Sequence, residues 1–183
     1  MASERGNLRL TVLSEDKRTE RFFRELLKSF GFRKLAFHTA PSGRGSGEAW
    51  VTARHVKEIQ VLRSRNYQRS LRLIAVRDGD GFGIAARKQQ LQDALERAEL
   101  LPRQSTEGIA TPVPSRNIET WLLTLLGAED VDETADCKHA FEAAHATDER
   151  AALKRAAAAW PSIGGTSLPS LRDGVDELKR IDG

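Results

Sequence analysis

Two short acidic stretches carry the residue types that hold hard metal ions. Asp78-Gly79-Asp80-Gly81 sets two carboxylates one residue apart in a glycine-rich turn. Glycine permits the close backbone that lets both face one point. Glu15-Asp16 stands earlier in the chain. Clustered like charges are costly unless a cation neutralises them, and oxygen donors of this kind suit Mg²⁺ or Mn²⁺. Taken alone, Asp-Gly-Asp-Gly is an ordinary hydrophilic turn. Its chemistry depends on the elements that position it.

Those elements alternate. Leu8–Leu13 reads as a strand, and Thr19 or Asp16 can cap the helix that follows. That helix carries Phe22, Phe23, Leu26, Leu27 and Phe30 at helical spacing, and Gly31 ends it. Leu35-Ala36-Phe37 is a short strand leading into the loop Pro41–Gly47. A helix from Glu48 to about Arg65 carries Val51, Val56, Ile59 and Leu62. Leu71–Val76 is the strongest strand, and it stops at the Asp78–Gly83 turn. A helix over Ile84–Leu100, a strand near Ile109–Val113 and a helix from Pro114 or Ser115 through Leu126 follow. Strands alternating with helices predict an α/β fold, a Rossmann-like, mainly parallel sheet flanked by helices. Residues 1–127 form this core. Residues 128–183 form a helical C-terminal extension, Ala-rich from Ala151 to Trp160 and broken by Pro161 and Gly164-Gly165, packed on the core. Ligands of open parallel sheets bind beyond the carboxyl ends of the strands, which is where Glu15, Asp78 and Asp80 are expected.

The order strand, acid, helix, then strand, Asp-x-Asp, helix resembles the TOPRIM domain of topoisomerases, primases and overcoming-lysogenization-defect nucleases. The motifs are Thr11-Val12-Leu13-Ser14-Glu15-Asp16-Lys17-Arg18-Thr19-Glu20 and Ile74-Ala75-Val76-Arg77-Asp78-Gly79-Asp80-Gly81. Val113-Pro114-Ser115-Arg116-Asn117-Ile118-Glu119-Thr120-Trp121-Leu122-Leu123 is similar to a motif of small single-domain bacterial TOPRIM proteins, some of which sit beside ATPases in phage-defence loci. The resemblance covers roughly residues 8–126. Asp16 stands where the family has glycine, which makes it an alternative to Glu15. The resemblance implies Glu15 as general acid/base or metal ligand and Asp78 and Asp80 as metal ligands. Glu119 is either a further catalytic ligand or a glutamate favoured by the helix dipole in a first turn. The implied activity is metal-dependent phosphodiester hydrolysis on DNA or RNA, with an ATPase as candidate partner.

The net charge of +3 divides unevenly: residues 1–77 hold 17 Lys/Arg against 7 Asp/Glu, the remainder 12 against 19. Arg54, Lys57, Arg65 and Arg69, with Arg63 and Arg72, form the densest basic run. They are candidate phosphate contacts, or simply a solvated face. Arg44 in the loop Ser42–Gly47 is another phosphate candidate, although no P-loop lysine closes that loop. The four histidines lack metal-ligand spacing, and Trp50, Trp121 and Trp160 read as packing residues. No apolar run approaches the roughly 20 residues that span a bilayer. The N-terminus has no signal-peptide core, and the single Cys137 excludes an internal disulfide. The cytoplasm is therefore the expected location. Two rival readings remain. One is a non-catalytic interaction module of the same fold. The other is a receiver-like phosphorelay domain, which also places an acidic pair after its first strand and an aspartate after its third.

Overall fold

Alternating apolar side chains give each strand two faces, and the sheet they build has helices on both. The computed structural model describes residues 5–43, 46–65, 69–160 and 168–182. Strands β1 (Arg9–Ser14), β2 (Lys34–Thr39), β3 (Leu71–Ala75) and β4 (Ile109–Ala110) are all parallel, in the order β2-β1-β3-β4. Leu10, Val12, Ile74, Val76 and Ala110 pack on one face, and Leu13, Leu73, Ala75 and Ile109 on the other.

Helices α2 (Gly47–Ser64) and α3 (Ile84–Arg97) cover the second face through Val51, Ile59 and Leu95. The first face carries α1 (Lys17–Ser29), α4 (Ile118–Leu125), α5 (Lys138–His145), α6 (Glu149–Ala159) and α7 (Pro169–Lys179). The C-terminal helices are thus part of that core. Trp160 lies 5.7 Å from Trp121 and 6.1 Å from Phe22, ring centre to ring centre. The Trp121 indole donates to Ser170 Oγ at 2.8 Å, tying α4 to α7. No helix among the described residues is long and apolar enough to cross a membrane.

Local chemistry explains the element ends. Asp16 caps α1, accepting from the Thr19 amide at 2.9 Å. Gly31, at φ 91°, closes it with paired bonds from Phe32 to Leu27 and from Gly31 to Lys28. Two elements fall short of the sequence expectation. β4 ends at Ala110 because the Thr111 amide donates to Glu177 at 2.7 Å and Pro112 has no N–H to donate. The segment Pro114–Arg116 is not helical. Its carbonyls accept from the Asp-Gly-Asp turn, Gly79 to Pro114 at 2.8 Å and Asp80 to Arg116 at 3.0 Å, and α4 begins only at Ile118. Pro161 and Gly164-Gly165 lie outside the described residues.

Candidate functional site

The strand order reverses between β1 and β3, and open α/β sheets bind ligands at the carboxyl edge of such a switch point. Glu15 follows β1 there and Asp78 follows β3. The Asp78 amide donates to Glu15 Oε1 at 3.3 Å, so the two motifs meet, 63 residues apart in sequence. Asp78 is 8% exposed. Burial, then the carboxylates of Asp16, Glu15, Glu119 and Asp80, push its carboxyl well above its ordinary range. Burial also raises Glu15 to about 7, with Arg77 opposing and Asp80 reinforcing the rise.

Glycine makes the approach possible in two places. A Cβ on Gly79 would overlap the Ser115 carbonyl oxygen, and one on Gly47 would lie 3.1 Å from Glu15 Cβ. The first lets the Asp-Gly-Asp turn dock on the segment after β4; the second lets the start of α2 sit against Glu15. Asp80 takes the left-handed conformation, φ 47°, which aspartate adopts more readily than most residues. Its Oδ2 accepts from Arg87 Nη2 at 3.2 Å.

Two arginines complete this edge, and neither stands out in the sequence. Arg77 and Arg87 are each 1% exposed. Arg87 donates to Glu48 Oε1, to Gln90 Oε1 at 2.9 Å and to the Gly79 carbonyl at 3.2 Å, while its guanidinium stacks 4.6 Å from the exposed Phe82 ring. Arg77 Nη2 lies 2.7 Å from the same Glu48 oxygen, and its Nε lies 3.8 Å from Glu15 Oε1. Burial, then the Arg87 charge, lowers Arg77 from its ordinary value. For Arg77, the sequence signal is a cation directly after the apolar run Leu73–Val76; Arg87 carries none.

Asp16 is no free substitute for Glu15, because both of its oxygens accept from Thr19, from the amide and from the hydroxyl, each at 2.9 Å. Glu119 is 2% exposed. Its Oε1 accepts from Arg18, which also reaches Glu142 at 3.2 Å and Glu149 at 3.3 Å. Its Oε2 is buried with no hydrogen-bond partner among the described residues.

The basic run lies elsewhere. α2 starts beside Glu15 and ends at the opposite edge of the sheet, about 17 Å away for five strand residues. Arg65 there lines a cavity of about 550 Å³ with Arg9, Arg33, Lys34 and Arg72, and Arg69 lines another with Lys179 and Arg180. Arg54 pairs with Glu58 at 2.7 Å, and Lys57 lies on the same helix. Arg44 lies outside the described residues. His55 is buried and lowered to about 4, chiefly by burial.

The edge therefore gathers hard oxygen donors, one carboxyl that titrates near neutrality and two buried guanidiniums. No three His, Cys, Asp or Glu side chains among the described residues are arranged as a ready cation cage; Asp80 and Glu119 turn toward arginines instead. Neither protein-family models, nor curated proteins, nor solved structures match the chain.

Proposed function

We propose that the protein is a TOPRIM-like nuclease or nuclease subunit that uses Mg²⁺ or Mn²⁺ to hydrolyse phosphodiester bonds in DNA or RNA. The observation that carries this reading is the meeting of Glu15, Asp78 and Asp80 at the switch point, with Asp78 buried among carboxylates rather than cations. Such a group is destabilising by itself and gains from a cation. The residues fit a hard cation in type, and Asp80 would have to turn from Arg87 to join Glu15 and Asp78 around it. Glu15, Asp78 and Asp80 would hold it, and the unpartnered Oε2 of Glu119 is a further oxygen donor. When bound, the ion supplies charge stabilisation to the oxygens of the phosphoryl group.

The chain's own groups do the rest. Where Glu15 stays outside the ion's shell, its carboxyl, raised to about 7 by burial in the metal-free protein, can instead accept a proton from an attacking water. The Asp78 amide fixes the carboxylate from which that base acts. Arg54, Lys57, Arg65 and Arg69 serve as distant phosphate anchors, so the strand would cross from one sheet edge to the other. This reading puts the chain in the cytoplasm, with an ATPase as its candidate partner.

The test is cleavage of single-stranded DNA, duplex DNA and RNA with Mn²⁺, Mg²⁺ or EDTA, with and without the products of neighbouring genes. Metal-dependent cleavage lost in both Asp78→Asn and Asp80→Asn supports the proposal. Cleavage that survives both substitutions assigns the chemistry elsewhere. Intact biological function in both variants leaves the non-catalytic interaction module as the better account. The receiver-like alternative is disfavoured by the burial of Asp78 and by Asp16 serving as a helix cap.

A further inference from the structure

Two guanidiniums buried side by side need an anion, and the anion beside them is unusual. Glu48 stands in the first turn of the 18-residue helix α2, and its side chain is 38% exposed whereas those of Arg77 and Arg87 are 0% and 1% exposed. One oxygen, Oε1, meets both arginines. That single contact leaves Arg77 poorly served. None of its three guanidinium nitrogens makes a well-directed hydrogen bond among the described residues, although all three are buried. A buried donor set without acceptors is expensive. Glu177, by contrast, is 8% exposed and spreads its two oxygens over Lys88, Arg103 and Thr111.

We propose that Arg77, Arg87 and the N-terminus of α2 form a phosphate subsite beside the carboxylate edge, which Glu48 fills as an internal, displaceable anion. A phosphate offers several acceptor oxygens where one carboxylate oxygen now serves, and arginine forks match that geometry. The helix N-terminus adds partial positive charge toward the same point. Gly47, packed on Glu15 Cβ at 3.1 Å, brings that N-terminus close to the carboxylates. The Glu48 tip, being exposed, can swing into solvent without disturbing the core. The occupant is a phosphate of the nucleic-acid strand next to the bond that is cut. That identity rests on the nuclease reading; the anion subsite itself does not.

The experiment works without divalent metal. Thermal melting of the full chain in EDTA is followed against inorganic phosphate, with sodium chloride matched for ionic strength, and anisotropy of a fluorescent oligothymidylate is measured in parallel. Glu48→Ala removes the internal anion. Its melting temperature should drop, then rise with added phosphate but not with chloride, while the wild type responds little. Oligothymidylate should bind Glu48→Ala at least about fivefold more tightly than wild type. Glu48→Gln, which keeps size and helix propensity, should show the same gain in smaller measure. Adding Arg87→Gln to Glu48→Ala should remove the gain. Phosphate rescue without tighter oligonucleotide binding would assign the subsite to free phosphate and overturn its place on a strand. A Glu48→Ala protein that neither recovers with phosphate nor binds the oligonucleotide more tightly overturns the subsite. That result would leave metal-dependent cleavage untouched, just as a phosphate-responsive Glu48→Ala protein without cleavage would keep the subsite and end the nuclease reading.

Discussion

Two buried carboxylates on this molecule have opposite surroundings. Glu177 on α7 accepts from Lys88, Arg103 and the Thr111 amide, and although burial alone would raise it, these partners hold it down at about 2. Asp78, at the carboxyl edge of the sheet, sits among Asp16, Glu15, Glu119 and Asp80 and is pushed up. Glu177 locks a C-terminal helix onto β4, and every oxygen it has is used. Asp78 gains nothing from the fold around it. A buried acid with complete partners belongs to the architecture, whereas one surrounded by like charges is a candidate ligand site.

The largest effect expected from that contrast is structural. Glu177→Ala takes the buried acceptor from Arg103 and the Thr111 amide, leaves Lys88 only Asp173, and should cost about 2–3 kcal/mol, measured by urea denaturation. A loss below about 1 kcal/mol would mean that these cations reach solvent as readily as an ordinary surface pair.

The pH dependence should then run in opposite senses at the two regions. Glu15 rises from 4.5 to about 7 on folding, so the folded state is undisturbed below pH 4.5 and loses stability as pH climbs to 7. That loss is up to about 3 kcal/mol in metal-free protein. Glu177 falls to about 2, so its contribution is intact above pH 4.5 and fades as pH drops toward 2. Glu15→Gln should reduce the first slope, the raised Asp78 carboxyl supplying the remainder, and spare the second. An unchanged slope between pH 5 and 7 in that variant would remove Glu15 as its source.

Asp78→Asn sharpens the same point from the other side. Relieving the like-charge contacts should leave metal-free stability equal or higher by about 1 kcal/mol, read from the same urea titration. A loss comparable to that of Glu177→Ala would make Asp78 architectural. The smallest effect belongs to the far edge of the sheet. Reversing the charge of Arg65 or Arg69 should weaken nucleic-acid binding alike for all sequences and reduce the salt-dependence slope by about 1 each. Binding indifferent to salt would point to a protein partner.

Much of the fold was legible because periodicity is a local property. Leu71–Val76 and the Phe22–Leu27 stripe lie where their spacing puts them, as β3 and α1. The meeting of Glu15 with Asp78 was legible too, since both directly follow strands that a parallel sheet must align. Glu48, Arg77 and Arg87 were not. Each is a common charged residue in a helix or at a strand end, and only the docking of α2 and α3 on one sheet face brings them together. The run after β4 departs from its local pattern for a related reason. Thr111 and Pro114–Arg116 spend their backbone groups on Glu177 and on the Asp-Gly-Asp turn, contacts made over long sequence distances.

In the proposed reading, Glu15, Asp78 and Asp80 serve one cation. Crystals soaked in Mn²⁺ and measured at the manganese absorption edge test it most directly. The expected result is an anomalous peak bound by these three carboxylates, with Asp80 turned away from Arg87, and no such peak in crystals of Asp78→Asn. A wild-type map with no manganese at this edge, or with the ion held only by other residues, would contradict it.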